Sequence, residues 1–260
     1  MIIAENAAMS MCKNRIKQAV GGFGRTVLET LFPSQCENCG RTAHREHNPD
    51  GFLCFSCAQS IPLYQWLFCP VCNKKLVGPG PCQTHKTALR ALGVSTSYEN
   101  KLVKTLLWKY KYGFKYTLAK PLAKILLAYA RQTLLPLLKD RNNDLLISYI
   151  PLHPRRYRWR GFNQSQLLAE FLGQELKIAA RPIIQRITFR CPQMEIKEKS
   201  KRLENIKDSF ALIPGAEIKG RAILLIDDIA ASGATLIEAA KILKRARAKA
   251  VYSLVIARSQ

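Results

Sequence analysis

A chain of 260 residues, 48% hydrophobic and 23% charged, is long enough for one full α/β domain plus a smaller module, and too apolar to be disordered or collagen-like. Its 41 Lys and Arg against 18 Asp and Glu leave a net charge of +23, which favours a polyanionic partner such as nucleic acid or a phosphorylated substrate over the plainer uses, solubility or attraction to an anionic membrane face. No apolar run reaches the ~18 residues of a membrane-spanning helix, and the start lacks the basic-then-apolar pattern of a secretion signal; the cytoplasm, including the inner face of the membrane, is the expected compartment.

Residues 1–32 read as a basic N-terminal segment. Seven of the nine cysteines then fall between Cys36 and Cys82, in a stretch of short apolar pieces and several Pro and Gly that needs something other than a core to hold it. Cys36 with Cys39, Cys54 with Cys57, Cys69 with Cys72, and Cys82 with His85 form four pairs, each with a two-residue gap. Thiolate and imidazole donors so spaced suit tetrahedral Zn²⁺, with two pairs per ion, and a reducing compartment disfavours disulfides. The expectation is a structural double zinc ribbon over 33–88, holding one or two ions. Sequential and interleaved groupings of the pairs are both open, and His44 or His47 competes with His85 as the last ligand.

From residue 89 onward strands and helices alternate. LGVSTSY (92–98) reads as a strand; KTLLWKYKYGFKY (104–116) reads as a strand through Trp108, Tyr110 and Tyr112 or as a short helix; TLAKPLAKILLAYARQTLLPLLK (117–139) is an amphipathic helix with Pro121 in its first turns. DLLISYI (144–150) is a buried strand, followed by a polar loop and a helix beginning near Asn163. AILLI (222–226) is another strand, a helix spans 234–247, and AVYSLVIA (250–257) is the last strand. The alternation predicts an α/β domain over 89–260, a parallel sheet flanked by helices on both faces.

Two tracts carry chemistry. In AILLIDDIAASGATLIEAAKIL the strand ends in Asp227 and Asp228, and a turn of small residues, Ala230, Ala231, Ser232, Gly233 and Ala234, leads into a helix with Thr235 in its first turn. Small side chains let several backbone N–H groups approach one phosphate at the positive end of the helix, while the carboxylates suit ribose hydroxyls or a sugar-bound Mg²⁺. In IPLHPRRYRWRGFNQ, Arg155, Arg156, Arg158 and Arg160 alternate with Tyr157 and Trp159 at the end of another strand, hence at the same rim of the sheet. Guanidinium groups interleaved with aromatic rings suit single-stranded nucleic acid, and Trp108, Tyr110 and Tyr112 are candidates to extend that path, against a plainer role in the core.

The acidic doublet and its turn resemble the signature of type I phosphoribosyltransferases. That resemblance implies Asp227 and Asp228 on the ribose of phosphoribosyl pyrophosphate as the catalytic pair, and 230–235 on its 5-phosphate, with Ala231 standing where the family often carries Thr. LFPSQCENCG at the front, FKY at 114–116, IPLHPRRYRWRGFNQ, Gln193 to Asn205 with Arg202, LLIDDIAASGATL and the late VIAR follow in the order of the ComF family of competence-associated proteins, and the chain is identified as a member of it. By the same resemblance, Leu152, His153, Arg155 and Arg156 belong to a pyrophosphate-binding loop, and Lys197, Lys199, Lys201 and Arg202 to a loop that covers the substrate. The implied function is handling of internalised single-stranded DNA in natural transformation, with a phosphoribosyl pyrophosphate-type site and Mg²⁺. The competing classes are an active phosphoribosyltransferase on an unidentified acceptor, and a zinc-ribbon adaptor for a translocation helicase or a recombination mediator.

Overall fold

Ala222 to Ile226 carry no polar side chain, as a strand covered on both faces requires. In the computed structural model, which describes residues 35–41, 52–138, 144–188 and 206–259, they open β7 (Ala222–Ala230). β7 lies between β4 (Leu145–Tyr149) and β8 (Ala250–Arg258), parallel to both, and β8 is parallel in turn to β3 (Ala91–Ser97). Beyond β3 come two short antiparallel strands, β1 (Leu67–Phe68) and β2 (Lys75–Leu76), giving a six-stranded order β2-β1-β3-β8-β7-β4. The sheet is therefore mixed at one edge rather than wholly parallel. β1 and β2 are joined by the tight Cys69–Lys74 turn, where Cys69 N–H donates to Lys74 O at 2.9 Å, and a connection that short permits only an antiparallel return.

The chain divides into Met1–Ala58, with the first two cysteine pairs, and Gln59–Gln260, with the last two pairs and the whole sheet. The second half of the cysteine-rich stretch thus contributes strands to the α/β unit.

Helices cover both faces. α1 (Lys101–Tyr112) settles the open reading of the Trp108–Tyr112 tract: Asn100 caps it by accepting from Val103 N–H at 3.1 Å, and Leu102, Val103, Leu106, Leu107 and Tyr110 form a buried stripe at helical spacing. α2 (Ala119–Tyr129) carries Pro121 as its third residue and runs on through a π turn, Ala130–Leu134. The expected polar loop after β4 is instead a two-turn helix, α3 (Pro154–Arg160). Pro154 at its first position, His153 Nδ1 accepting from Arg155 N–H at 3.2 Å, and Gly161 at φ +80° closing it supply both caps. α4 (Gln164–Leu176) follows, capped by Asn163. Across the sheet, Ile223 and Leu225 share a core with Leu236, Ala239, Ala240 and Leu243 of α5 (Ala234–Arg245). A small antiparallel pair, β5 (Ile184–Arg186) with β6 (Phe210–Leu212), joins that core through Ile184 and Phe210. Residues 1–32 and the tract with Lys197, Lys199, Lys201 and Arg202 lie outside the described residues.

Candidate functional site

Asp227 and Asp228 stand inside β7 rather than after it, because the strand continues pairing with β8 as far as Ala230 opposite Arg258. Adjacent strand residues point to opposite sides, so the two carboxylates receive different partners. Asp227 Oδ1 accepts from Ser165 Oγ at 2.7 Å and from Asp228 N–H at 2.9 Å. Asp228 Oδ1 accepts from Ile229 N–H at 2.6 Å and pairs with Lys111 Nζ at 2.9 Å, with the Lys and Asp side chains 21% and 7% exposed. Burial, and then the charge of Asp228, push the Asp227 carboxyl up to about 7 against the opposing help of Lys111 and Ser165. Burial works to lower the Lys111 ammonium, but Asp228 and Asp227 overcome it and hold it raised.

These partners explain the GFNQS run. Asn163 donates from Nδ2 to Ile150 O at 3.1 Å and accepts from Ser165 N–H at 3.1 Å, tying the start of α4 to the end of β4. Gln164 O accepts from the buried Tyr110 hydroxyl at 2.9 Å, so α1 and α4 are clamped together with Lys111 and Ser165 facing the doublet. Lys111 and Ser165 were not singled out from the sequence. Each pairs with a carboxylate far along the chain, Ser165 and Asp227 being 62 residues apart, so local spacing does not mark them.

After Ala230 the turn 231–233 passes into α5 with Gly233 at φ +78°, and Ser232 Oγ accepts from Ala234 N–H at 3.4 Å. A Cβ at Gly233 would lie 2.6 Å from Pro70 O, so the backbone of the Cys69–Cys72 turn fills the space beside it. The turn thus joins small side chains to the start of a 12-residue helix, the setting in which backbone amides can meet an anion.

The basic tract forms an exposed face. Trp159 is 59% exposed and packs edge-on against Phe114 at 5.1 Å, and Arg160 lies 5.7 Å from the Trp159 ring and 5.8 Å from Tyr112. Trp108, Tyr116 and Tyr157 are also exposed. Arg160 is only partly a surface cation, since its Nη1 donates to Gln164 Oε1 at 2.8 Å. Tyr110 is fully buried and leaves the candidate path to its neighbours Trp108 and Tyr112. Arg186 at the end of β5, a residue not read from the sequence, joins this side: burial first, then the like charge of Arg156, lower its guanidinium to about 10, while Asp227 opposes them. His153 is lowered as well, by burial first and then by Arg155, Arg186, Arg156 and Arg158.

The eight candidate metal donors gather in the sequential grouping. Cys36, Cys39, Cys54 and Cys57 make one set, and Cys69, Cys72, Cys82 and His85 the other, each with its ligand atoms within 4.8 Å of one another. Among them Cys39 and Cys54 sulfurs are 3.8 Å apart, Cys72 and Cys82 4.0 Å, and Cys82 and His85 Nδ1 3.8 Å. A tetrahedron with Zn–S bonds of ~2.3 Å has an edge of about 3.8 Å, so the donor spacings of both sets are compatible with that ion. Thiolates are favoured at one ligand of each set. At Cys36, burial is outweighed by backbone N–H groups of Cys39, Cys54 and Asn38, and at Cys82 the His85 side chain dominates; both thiols come down to about 6. Burial pushes Cys57 up to about 12 and raises Cys69, and a bound cation would relieve that cost.

Comparison with known proteins bears on the whole arrangement. Residues 168–260 match the phosphoribosyl transferase domain family, from within α4 to β8 and therefore including the doublet and its turn. Competence protein ComFC of Streptococcus pneumoniae is 30% identical over 215 residues, which cover 80% of this chain and 89% of that protein. The chain belongs to the ComF family. Competence protein F of Haemophilus influenzae is 25% identical over 84% of this chain and 94% of its own, and the DNA utilization protein YhgH of Escherichia coli K12 is 28% identical over 80% and 97%. This ComF-family chain therefore carries a phosphoribosyltransferase-type sheet together with a cysteine-rich front compatible with a zinc ribbon. No helix among the described residues is long and apolar enough to cross a membrane.

Proposed function

We propose that this protein acts in transformation competence by binding internalised single-stranded DNA beside a site for phosphoribosyl pyrophosphate or a related sugar phosphate. The observation that carries the reading is the doublet in the last stretch of pairing of β7, held at 2.7 Å by Ser165 and 2.9 Å by Lys111 from two different helices, shortly before the small-residue turn that opens α5. Asp227 and Asp228 would take the ribose hydroxyls, and the amides of 230–235, with the Ser232 and Thr235 hydroxyls, the 5-phosphate. The α3 side, from Leu152 and His153 to Arg155 and Arg156, would take the pyrophosphate. Mg²⁺, held through the doublet and the bound phosphates, would neutralise charge on the ligand. DNA would follow Arg155, Arg156, Arg158, Trp159 and Arg160, its bases stacking on the exposed rings. Competence and DNA utilization are what the relatives' names state, and the net charge of +23 supports a polyanionic partner here. The cytoplasm is the compartment this reading requires.

A second reading, phosphoribosyl transfer to an acceptor, is favoured by Lys111: an element before residue 150 reaches the doublet, so α1 supplies a wall against which an acceptor could sit. Calorimetric titration with phosphoribosyl pyrophosphate and Mg²⁺, followed by a pyrophosphate-release assay with and without single-stranded DNA, separates the two. Binding without release supports the first reading, release supports the second, and no binding of the sugar phosphate refutes both.

A further inference from the structure

The small-residue turn after β7 is built against the second cysteine set, and we propose that this set is a positioning element for the turn. With metal on Cys69, Cys72, Cys82 and His85, the Cys69–Pro70 backbone holds 230–235 in the shape that receives a sugar phosphate, so occupancy of this metal site governs that affinity. The inference rests on the sugar-phosphate reading above.

Three contacts carry it. Gly233 sits at φ +78° with Pro70 O 2.6 Å and Pro70 C 3.5 Å from where its Cβ would be, so the knuckle's own carbonyl sets how close the turn approaches. Arg258 donates from Nη1 to Cys69 O at 3.1 Å and to Asn73 Oδ1 at 3.3 Å, and from Nη2 to Pro70 O at 3.1 Å. That same Arg258 is the register partner of Ala230, and Ser259 N–H donates to Ala230 O at 3.0 Å, so the grip on the knuckle is one strand away from the first residue of the turn. Both carbonyls belong to the backbone between the ligands Cys69 and Cys72. The loop's own backbone bonds are Cys69 N–H to Lys74 O at 2.9 Å and Asn73 N–H to Cys69 O at 3.1 Å, between strands of two residues each, so metal on Cys69 and Cys72 supplies the further restraint that fixes the Pro70 carbonyl. Val71 N–H already donates to Cys69 Sγ at 3.4 Å, the contact a metal-bound thiolate strengthens.

The test compares wild type with His85→Ala, Arg258→Ala, Arg258→Lys and Gly233→Ala. Zinc content, phosphoribosyl pyrophosphate affinity with Mg²⁺, and hydrogen exchange of the 230–235 amides are measured in each. His85→Ala is expected to lose about one zinc, weaken binding by about tenfold, the scale of one hydrogen bond to a charged group, and speed exchange of the turn. Arg258→Ala should keep both metals and show the same two effects, Arg258→Lys should recover part of each, and Gly233→Ala should speed exchange with the metals in place. Loss of the second metal with affinity and exchange both at the wild-type level overturns the proposal, as does Arg258→Ala with an unchanged turn. Should His85→Ala fail to fold, the Arg258 and Gly233 variants decide it. If wild type binds no sugar phosphate, that reading falls and the exchange data alone decide whether knuckle and turn are coupled.

Discussion

The Lys111–Asp228 pair should be a measurable strut of the fold. At 2.9 Å, with the two side chains 21% and 7% exposed, it stands in a medium far from bulk water. At an effective dielectric of about 20 its direct attraction is about 6 kcal/mol. Removing both ions from water offsets a large part of that, so the net value is far smaller than the loss on removing one partner. Lys111→Met keeps the unbranched stem and strands the Asp228 carboxylate, which should cost about 3 to 5 kcal/mol at pH 8. Asp228→Asn keeps the acceptor that Ile229 N–H uses at 2.6 Å and strands the ammonium instead. The double variant removes both charges and should recover about 2 kcal/mol or more of the summed losses, a coupling of the size found for neighbours in one network. Urea denaturation of the four proteins supplies the cycle. A coupling below about 0.5 kcal/mol would show that the pair is held open by solvent and that the doublet does not depend on α1.

Asp227 makes stability fall with rising pH: its folded value near 7 lies above the reference 3.8, so between these values the folded chain keeps a proton that the unfolded chain has released. Its contribution is complete below about pH 4 and lost by about pH 7, on the order of 4 kcal/mol over the window, and Asp227→Asn should flatten that part of a stability–pH curve. If the ionised carboxylate takes the ribose hydroxyls, sugar-phosphate affinity should climb as pH passes through that upper value, and a flat profile would refute the assignment. Changing Arg155, Arg156 and Arg158 together to Gln should reduce the slope of log K against log salt for single-stranded DNA by about 2, whereas Trp159→Ala should cost about 1 to 3 kcal/mol with the slope kept. An unchanged slope in the triple variant would move the DNA path elsewhere. Elemental analysis under reducing conditions should find about two zinc ions per chain and about one fewer in Cys39→Ser, and less than one in wild type would defeat the ribbon.

The strands and the main helices were legible because their signals are local. Ala222 to Ile226 and Leu145 to Tyr149 are unbroken apolar runs, and α5 places Leu236, Ala239, Ala240 and Leu243 on one face. The paired cysteines were legible too, but their grouping depends on which loops meet, which spacing leaves open. α3 does not stand out in the sequence because Arg, Tyr and Trp give no apolar stripe; the informative signs are Pro154 at its start and Gly161 just past its end. Lys111 and Ser165 are hidden in the sequence because their partner carboxylates lie far along the chain, Ser165 and Asp227 being 62 residues apart. Charge count alone does not show which lysine among so many reaches a carboxylate of the sheet.

β8 fills the middle of the sheet, between β3 and β7, and Ser95 on β3 donates to Val255 O across a separation of 160 residues. During synthesis, β3 and the β4–β7 pair therefore wait as two unfinished fragments with bare apolar edges until residues 250–258 leave the ribosome. The donors of each cysteine set lie within about 22 residues of one another, so they can meet before that strand is made. A nascent protein of this kind would present an open seam, and that seam is where a chaperone would be needed.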